Sequence, residues 1–140
     1  GDTDCLFAMS SVGLPLSFAQ SMLDEVVRAN QYALRVELSA IRNGNKRPEI
    51  VAATNPKQTG NPAHPNCRDT IKSGAVVYSP DSEAIEVVMP VKNVEGEIMA
   101  AARMFLKPGT ITTKTKHRAR ASAVAIELGK KIQTHTKLFR

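Results

Sequence analysis

Residues 50–66 read IVAATNPKQTGNPAHPN, and residues 76–107 read VVYSPDSEAIEVVMPVKNVEGEIMAAARMFLK. The first stretch opens on an apolar run over residues 49–54, short and β-branched enough for a strand. Residues 55–65 then hold three prolines, Gly60 and two asparagines, and proline cannot donate to a sheet ladder, so this is a loop. It is long for a connector, and such loops carry function disproportionately often. Asn66 predicts an N-cap, Asp69 suits the positive end of a helix, Lys72 suits its negative end, and Gly74 is a stop. A short helix over residues 67–73 is the expectation. The second stretch holds a short strand over residues 76–78 and a turn with Pro80 at its second position. Ile85, Val87, Met89 and Val91 then alternate with other residues, as on a strand. Asn93, Val94, Glu95 and Gly96 predict a turn with Gly96 in the left-handed position. Residues 97–106 return as the last strand despite the helix-favouring Ala100, Ala101 and Ala102, because the hairpin before them is strong. Pro108 and Gly109 end it.

Working outward, Leu16, Ala19, Leu23, Val26 and Val27 fall on one stripe of a helix over residues 17–30. Tyr32, Leu34, Val36 and Leu38 alternate with Arg35, Glu37 and Ser39, predicting a half-buried strand. Asn43, Gly44 and Asn45 are a turn. At the other end, Ala121, Val124, Ala125, Leu128 and Ile132 form the apolar stripe of a helix over residues 113–134. Glu127 and Lys131 stand four apart in the favourable order. Adjacent strands joined by hairpins, with helices at both ends, give an antiparallel sheet with packed helices, an α+β architecture. Residues 1–15 read as irregular, and residues 16–140 as one domain.

The chain has 140 residues, enough to bury a core without disulfide or metal. It has no Trp, two Tyr and four Phe, so any pocket is mostly aliphatic. Cys5 and Cys67 are either two free thiols or, in an oxidising compartment, a pair. No run of about 18 apolar residues exists to span a membrane. No signal peptide is visible: Gly1, Asp2 and Asp4 open the sequence without a basic stretch, as in a processed or trimmed chain, so this says little about location. The net charge of +6 is concentrated near the C-terminus. Residues 112–140 carry Lys114, Lys116, Arg118, Arg120, Lys130, Lys131, Lys137 and Arg140 against Glu127 alone. Because that helix has a clear apolar stripe and no interleaved aromatics, its charges read as a solvated back face. Nucleic-acid or polyanion binding is therefore the lesser expectation.

The order of these elements resembles the single-Cache, PAS-like family of extracytoplasmic sensors, over about residues 16–140. The resemblance is carried by Asn55, Pro56, Gly60, Pro65, Gly74, Pro90 and Gly96. It implies an α+β, PAS-like fold: about five antiparallel strands, N- and C-terminal helices, and a short helix over the sheet. It also implies a small-molecule ligand, such as an organic acid, between the sheet and the loop with its short helix. A periplasmic or extracytoplasmic location follows, as does a stand-alone or excised input module, since no output segment accompanies it.

Candidate ligand contacts are Asn55, His64, Asn66, Arg68, Tyr78, Glu86 and Arg103. Arg68 beside the amides of a helix N-terminus suits a carboxylate, or is simply a solvated arginine. With residues 94 and 95 at the hairpin tip, Glu86 falls opposite Arg103, either as a cross-strand ion pair or as a pocket arginine beside its partner. Tyr78 offers a hydroxyl or caps the core edge. Cys67 with His64 three residues away lacks a third, orienting group, so no catalysis is expected. The histidines and cysteines lack metal-ligand spacing, there is no phosphate loop, and no cofactor is expected. The alternative is a ligand-free structural module, with a homodimer through the N-terminal helix.

Overall fold

The computed structural model describes residues 13–41, 47–81, 83–109 and 114–132, and of residues 13–17 the backbone only. Residues 1–12 of the expected irregular start, Cys5, the turn at Asn43, Gly44 and Asn45, and the end of the last helix lie outside these residues, whereas Gly13, Leu14 and Pro15, expected to be irregular, open the first helix, where proline is tolerated in the first turn. The elements are α1 (Gly13–Ala29), β1 (Ala33–Ile41), β2 (Pro48–Ala53), a single 3-10 turn (Pro56–Gln58), α2 (Pro65–Ser73), β3 (Val77–Ser79), β4 (Ile85–Lys92), β5 (Ile98–Leu106) and α3 (Lys114–Lys131). The strands form one antiparallel sheet in the order β2-β1-β5-β4-β3. This is the expected α+β architecture.

α1 and α3 cover one face and α2 the other. Ala100, Ala102, Met104 and Leu106 of β5 point into the larger core. There they meet Val36 and Leu38 of β1, Val87 and Met89 of β4, Leu23 and Val26 of α1, and Val124 and Leu128 of α3. Ala101 points the other way, with Val88, Cys67 and Ala63. A strand alternates its side chains, so Ala100, Ala101 and Ala102 point to alternate faces of β5, and all three are fully buried because both faces are covered. The three alanines are strand residues for that reason, against their helical propensity.

Three local expectations change. A register irregularity between Ala33 and Arg35 turns Ala33 and Val36 to the core and leaves Leu34 exposed, so the expected stripe through Leu34 is broken by a bulge. The N-cap of α2 is His64, not Asn66, and the helix opens with Pro65. Asp69 therefore lies beyond the first turn. Lys131 pairs across to Glu25 of α1 at 2.9 Å, and Glu127 instead accepts from Asn30 Nδ2 at 3.0 Å. Asn30 also donates to the Val26 carbonyl and accepts from the Tyr32 hydroxyl, closing α1 against α3. Burial, together with the Glu127 charge and against the opposing field of Arg120, raises the Tyr32 phenol above its ordinary value. Gly74 and Gly96 take the left-handed conformations expected of them.

Gly129 lies buried where α3 crosses the end of β4, and a Cβ there would overlap the Lys92 carbonyl oxygen. That oxygen belongs to backbone and has little room to yield. Gly129→Ala is expected to cost about 1–3 kcal/mol, the usual range for overpacking, and urea denaturation measures it.

Candidate functional site

The sheet face beneath α2 is an array of three rows. Register places Arg35 opposite Phe105, Glu37 opposite Arg103 and Ser39 opposite Ala101. On the other side of β5, Glu86 is opposite Phe105, Val88 opposite Arg103 and Pro90 opposite Ala101. The hairpin register therefore differs by two residues from the expected pairing of Glu86 with Arg103. A shift of two keeps both side chains on the same face, and they meet diagonally: Arg103 Nε donates to Glu86 Oε2 at 2.7 Å.

Arg103 also donates through Nη1 to Glu37 Oε1 at 3.3 Å, and Arg35 Nη2 donates to Glu37 Oε2 at 2.9 Å. The two guanidinium carbons lie 4.7 and 4.8 Å from the centre of the Phe105 ring, within cation–π range. The side chains of Glu37, Arg103 and Glu86 are 5%, 15% and 17% exposed, whereas Arg35 is 51% exposed. The cluster thus runs from a buried carboxylate to an open rim. Burial works against the charge of Arg103, but Glu86 and then Glu37 outweigh it and hold the guanidinium above its usual range. Asn66 reaches Glu86 from α2 through a long contact of 3.5 Å.

Of the seven candidate residues, Asn66, Glu86 and Arg103 are brought together. His64 adjoins them, but as a cap: its Nδ1 accepts from the Asn66 amide at 3.1 Å. Its carbonyl accepts from the amides of Cys67 and Arg68, and Pro65 has no N–H. The N-terminus of α2 therefore keeps no free amide in its first turn for an anion. Arg68 is exposed on the outer side of α2. Asn55 is spent on the 3-10 turn, accepting from the Lys57 amide at 3.2 Å. The loop, expected over the ligand, lies instead along the edge of β2: the Gly60 amide donates to the Ile50 carbonyl and the Ala63 amide to the Pro48 carbonyl. Tyr78 faces away. It is paired with Val87, so it shares the α3 face and contacts His117 and Lys114. Glu86, one residue along, takes the opposite face.

Glu37, Arg35, Phe105 and Ser39 were not singled out from the sequence. The signal was the alternation Arg35, Glu37, Ser39, which looks like a solvent face until α2 is known to lie over it. Cys67 is a free buried thiol. Burial pushes it up to about 11, against smaller opposing effects of the Ser39 hydroxyl and Arg103, so it is protonated at neutral pH and a poor nucleophile. Among the described residues, no group of His, Cys, Asp and Glu could hold a metal ion, and no helix is long and apolar enough to cross a membrane. The basic face of α3 is partly engaged within the domain: Lys131 pairs with Glu25, and Arg120 and Lys114 lie over the rings of Tyr32 and Tyr78.

No family model and no curated protein matches the sequence. Solved structures do match in fold. The type II free methionine-R-sulfoxide reductase from Thermoplasma acidophilum superposes with a TM-score of 0.55 at 13% identity, over 86% of this chain and 93% of that one. The GAF domain of an Acinetobacter phosphoenolpyruvate-protein phosphotransferase does so with a TM-score of 0.55 at 13% identity, over 81% and 79%. A portion of a methyl-accepting chemotaxis protein gives 0.53 at 14% identity, over 87% and 96%. At these identities the likeness is one of fold, and the fold is that of GAF and PAS-like domains. Nothing in these likenesses points to the Cache group in particular. One of these structures is a reductase, one a domain of a phosphotransferase and one a portion of a chemotaxis protein, so the fold alone does not decide the activity.

Two outcomes test the site. Arg103→Leu leaves the buried Glu37 carboxylate with only the rim arginine, and is expected to cost about 3 kcal/mol. Replacing Glu37, Arg103 and Glu86 together by Leu, Met and Leu is expected to recover most of that loss in urea denaturation. Cys67 holds its proton in the folded state up to about pH 11, against an ordinary value of 9.0. Its contribution to stability is therefore fully present below the ordinary value and is lost as pH rises through this window. Wild-type stability should fall more steeply there than that of Cys67→Ala, and Cys67 in the native protein should resist alkylation at pH 8.

Proposed function

We propose that this domain is a small-molecule sensor module without catalytic activity, and that its ligand is an organic anion held at the open end of the face beneath α2. The observation that carries the proposal is the pair of guanidiniums stacked on Phe105. A guanidinium has five N–H donors; Arg35 uses one and Arg103 two in the contacts described. Glu37 and Glu86 hold the arginines in place, and donors remain to grip a carboxylate. A face this charged is costly to bury, and apolar replacements of such clusters are often neutral or stabilising, so stability alone is a poor reason for it. Asn66 and the rim of α2 complete the enclosure.

The sensor role has the fold likeness to domains of signalling proteins in its favour. An extracytoplasmic place of action rests on the sequence resemblance to single-Cache sensors. A homodimer through α1 would use its outward residues Ser21, Asp24 and Arg28, since Ala19, Leu23 and Val26 are committed to the core. The alternative is a ligand-free structural module of the same fold.

Thermal shift with a panel of small carboxylic acids, each beside its neutral amide, tests the proposal. A ligand at one hundred times its Kd should stabilise the domain by about 2.7 kcal/mol. Arg35→Gln, at the exposed rim, should abolish the response without unfolding the protein. No response to any acid would favour the structural module, and a response that survives both Arg35→Gln and Arg103→Lys would place the ligand away from the arginine cluster and overturn this site.

A further inference from the structure

We infer that the groove between the outer edge of β4 and α3 is a second binding site, for an amphipathic organic anion: an apolar body ending in a carboxylate. It is separate from the arginine cluster. β3 has three residues and pairs only with Glu86, Val87 and Val88, so the outer edge of β4 from Met89 to Lys92 has no neighbouring strand. The space beside it has a volume of about 490 Å³, within the roughly 300–1,000 Å³ of small-molecule sites.

The lining has a direction. Val76, Met89 and Pro90 form the apolar floor, and Ala125 and Ile126 of α3 form the wall. Ser122, Ile126 and Lys130 recur every four residues and so share one side of α3. Lys92 and Lys130 stand at the same end, because the Lys92 carbonyl abuts Gly129. Both lysines are exposed, and neither has an ion-pair partner among the described residues. Exposed Ile126 and Val94 flank the opening.

The same edge is unsuited to a peptide. A strand added to a sheet is held by main-chain hydrogen bonds. Here Pro90 has no N–H to give, which is how proline guards a sheet edge, and the Lys92 carbonyl is covered by Gly129. What remains is apolar surface with two lysines at one end, neither ion-paired among the described residues. That chemistry matches a fatty or aromatic carboxylate. A neutral apolar compound would leave the lysines unused, and a polyanion would leave the floor unused.

The test is an NMR titration of the ¹⁵N-labelled chain with octanoate, kept below its aggregation concentration, and with 1-octanol as the neutral comparator. Saturable shifts are expected in the amides of residues 89–94 and 122–130. Lys92→Gln with Lys130→Gln should weaken octanoate by about tenfold, the size of two exposed charge contacts, and leave 1-octanol unchanged. Arg35→Gln should leave the octanoate response intact, which separates this site from the arginine cluster. Linear, unsaturable shifts, equal affinity for the alcohol, or shifts confined to the residues around Arg35 and Arg103 would each overturn the inference.

Discussion

The side chains of β5 alternate between two buried environments, and the rest of the domain is arranged around that alternation. Ala100, Ala102, Met104 and Leu106 face α1 and α3. Ala101, Arg103 and Phe105 face α2 or the rim beside it. An outer strand can leave one face to water. The middle strand of this sheet, flanked by β1 and β4, cannot, so each of its residues must suit a covered position. Alanine suits close approach of a helix, and Arg103 is tolerated because register supplies carboxylates on both neighbouring strands.

The two faces have different chemistry. The α1 and α3 side is a conventional aliphatic core closed by polar contacts at its margin, such as Asn30 between α1, Tyr32 and Glu127. The α2 side is thin: a nine-residue helix over a small apolar patch and a charged row. α2 reaches Ala101 and Val88 through Cys67 but leaves Arg35 at an open rim. A short β3 has a similar effect at the sheet's other margin, where β4 runs on without a partner and α3 closes only part of the gap. Both candidate sites arise where a covering element is shorter than the strands it covers.

Much of the fold was legible in the sequence. The alternation in residues 85–91, Gly96 in the hairpin turn, Gly74 after α2 and the stripe from Ala121 to Ile132 each state a local constraint, and local constraints survive folding. The errors were of a different kind. Leu34 left the core because of a bulge that no periodicity records. Tyr78 and Glu86 were both candidate ligand contacts because the pairing of β3 with β4 was unknown, and register puts Tyr78 beside Val87, on the face away from Glu86. His64 displaced Asn66 as the cap because Pro65 fits the first helical position as well as Asn66 fits the cap. Lys131 chose Glu25 over Glu127 because packing of α1 on α3 brought a second carboxylate within reach.

The sequence by itself determined the α+β class, the strands and helices, the hairpin and the proximity of Glu86 to Arg103, because these depend on side-chain period and turn chemistry within short stretches. Only the tertiary structure decided what the charged residues face. Arg35, Glu37 and Ser39 read as a wetted strand until α2 crosses the sheet, and the groove beside β4 exists only because α3, distant in sequence, packs against its edge at Gly129. Burial is a property of what comes to lie opposite, and strand register and helix docking set that at long range.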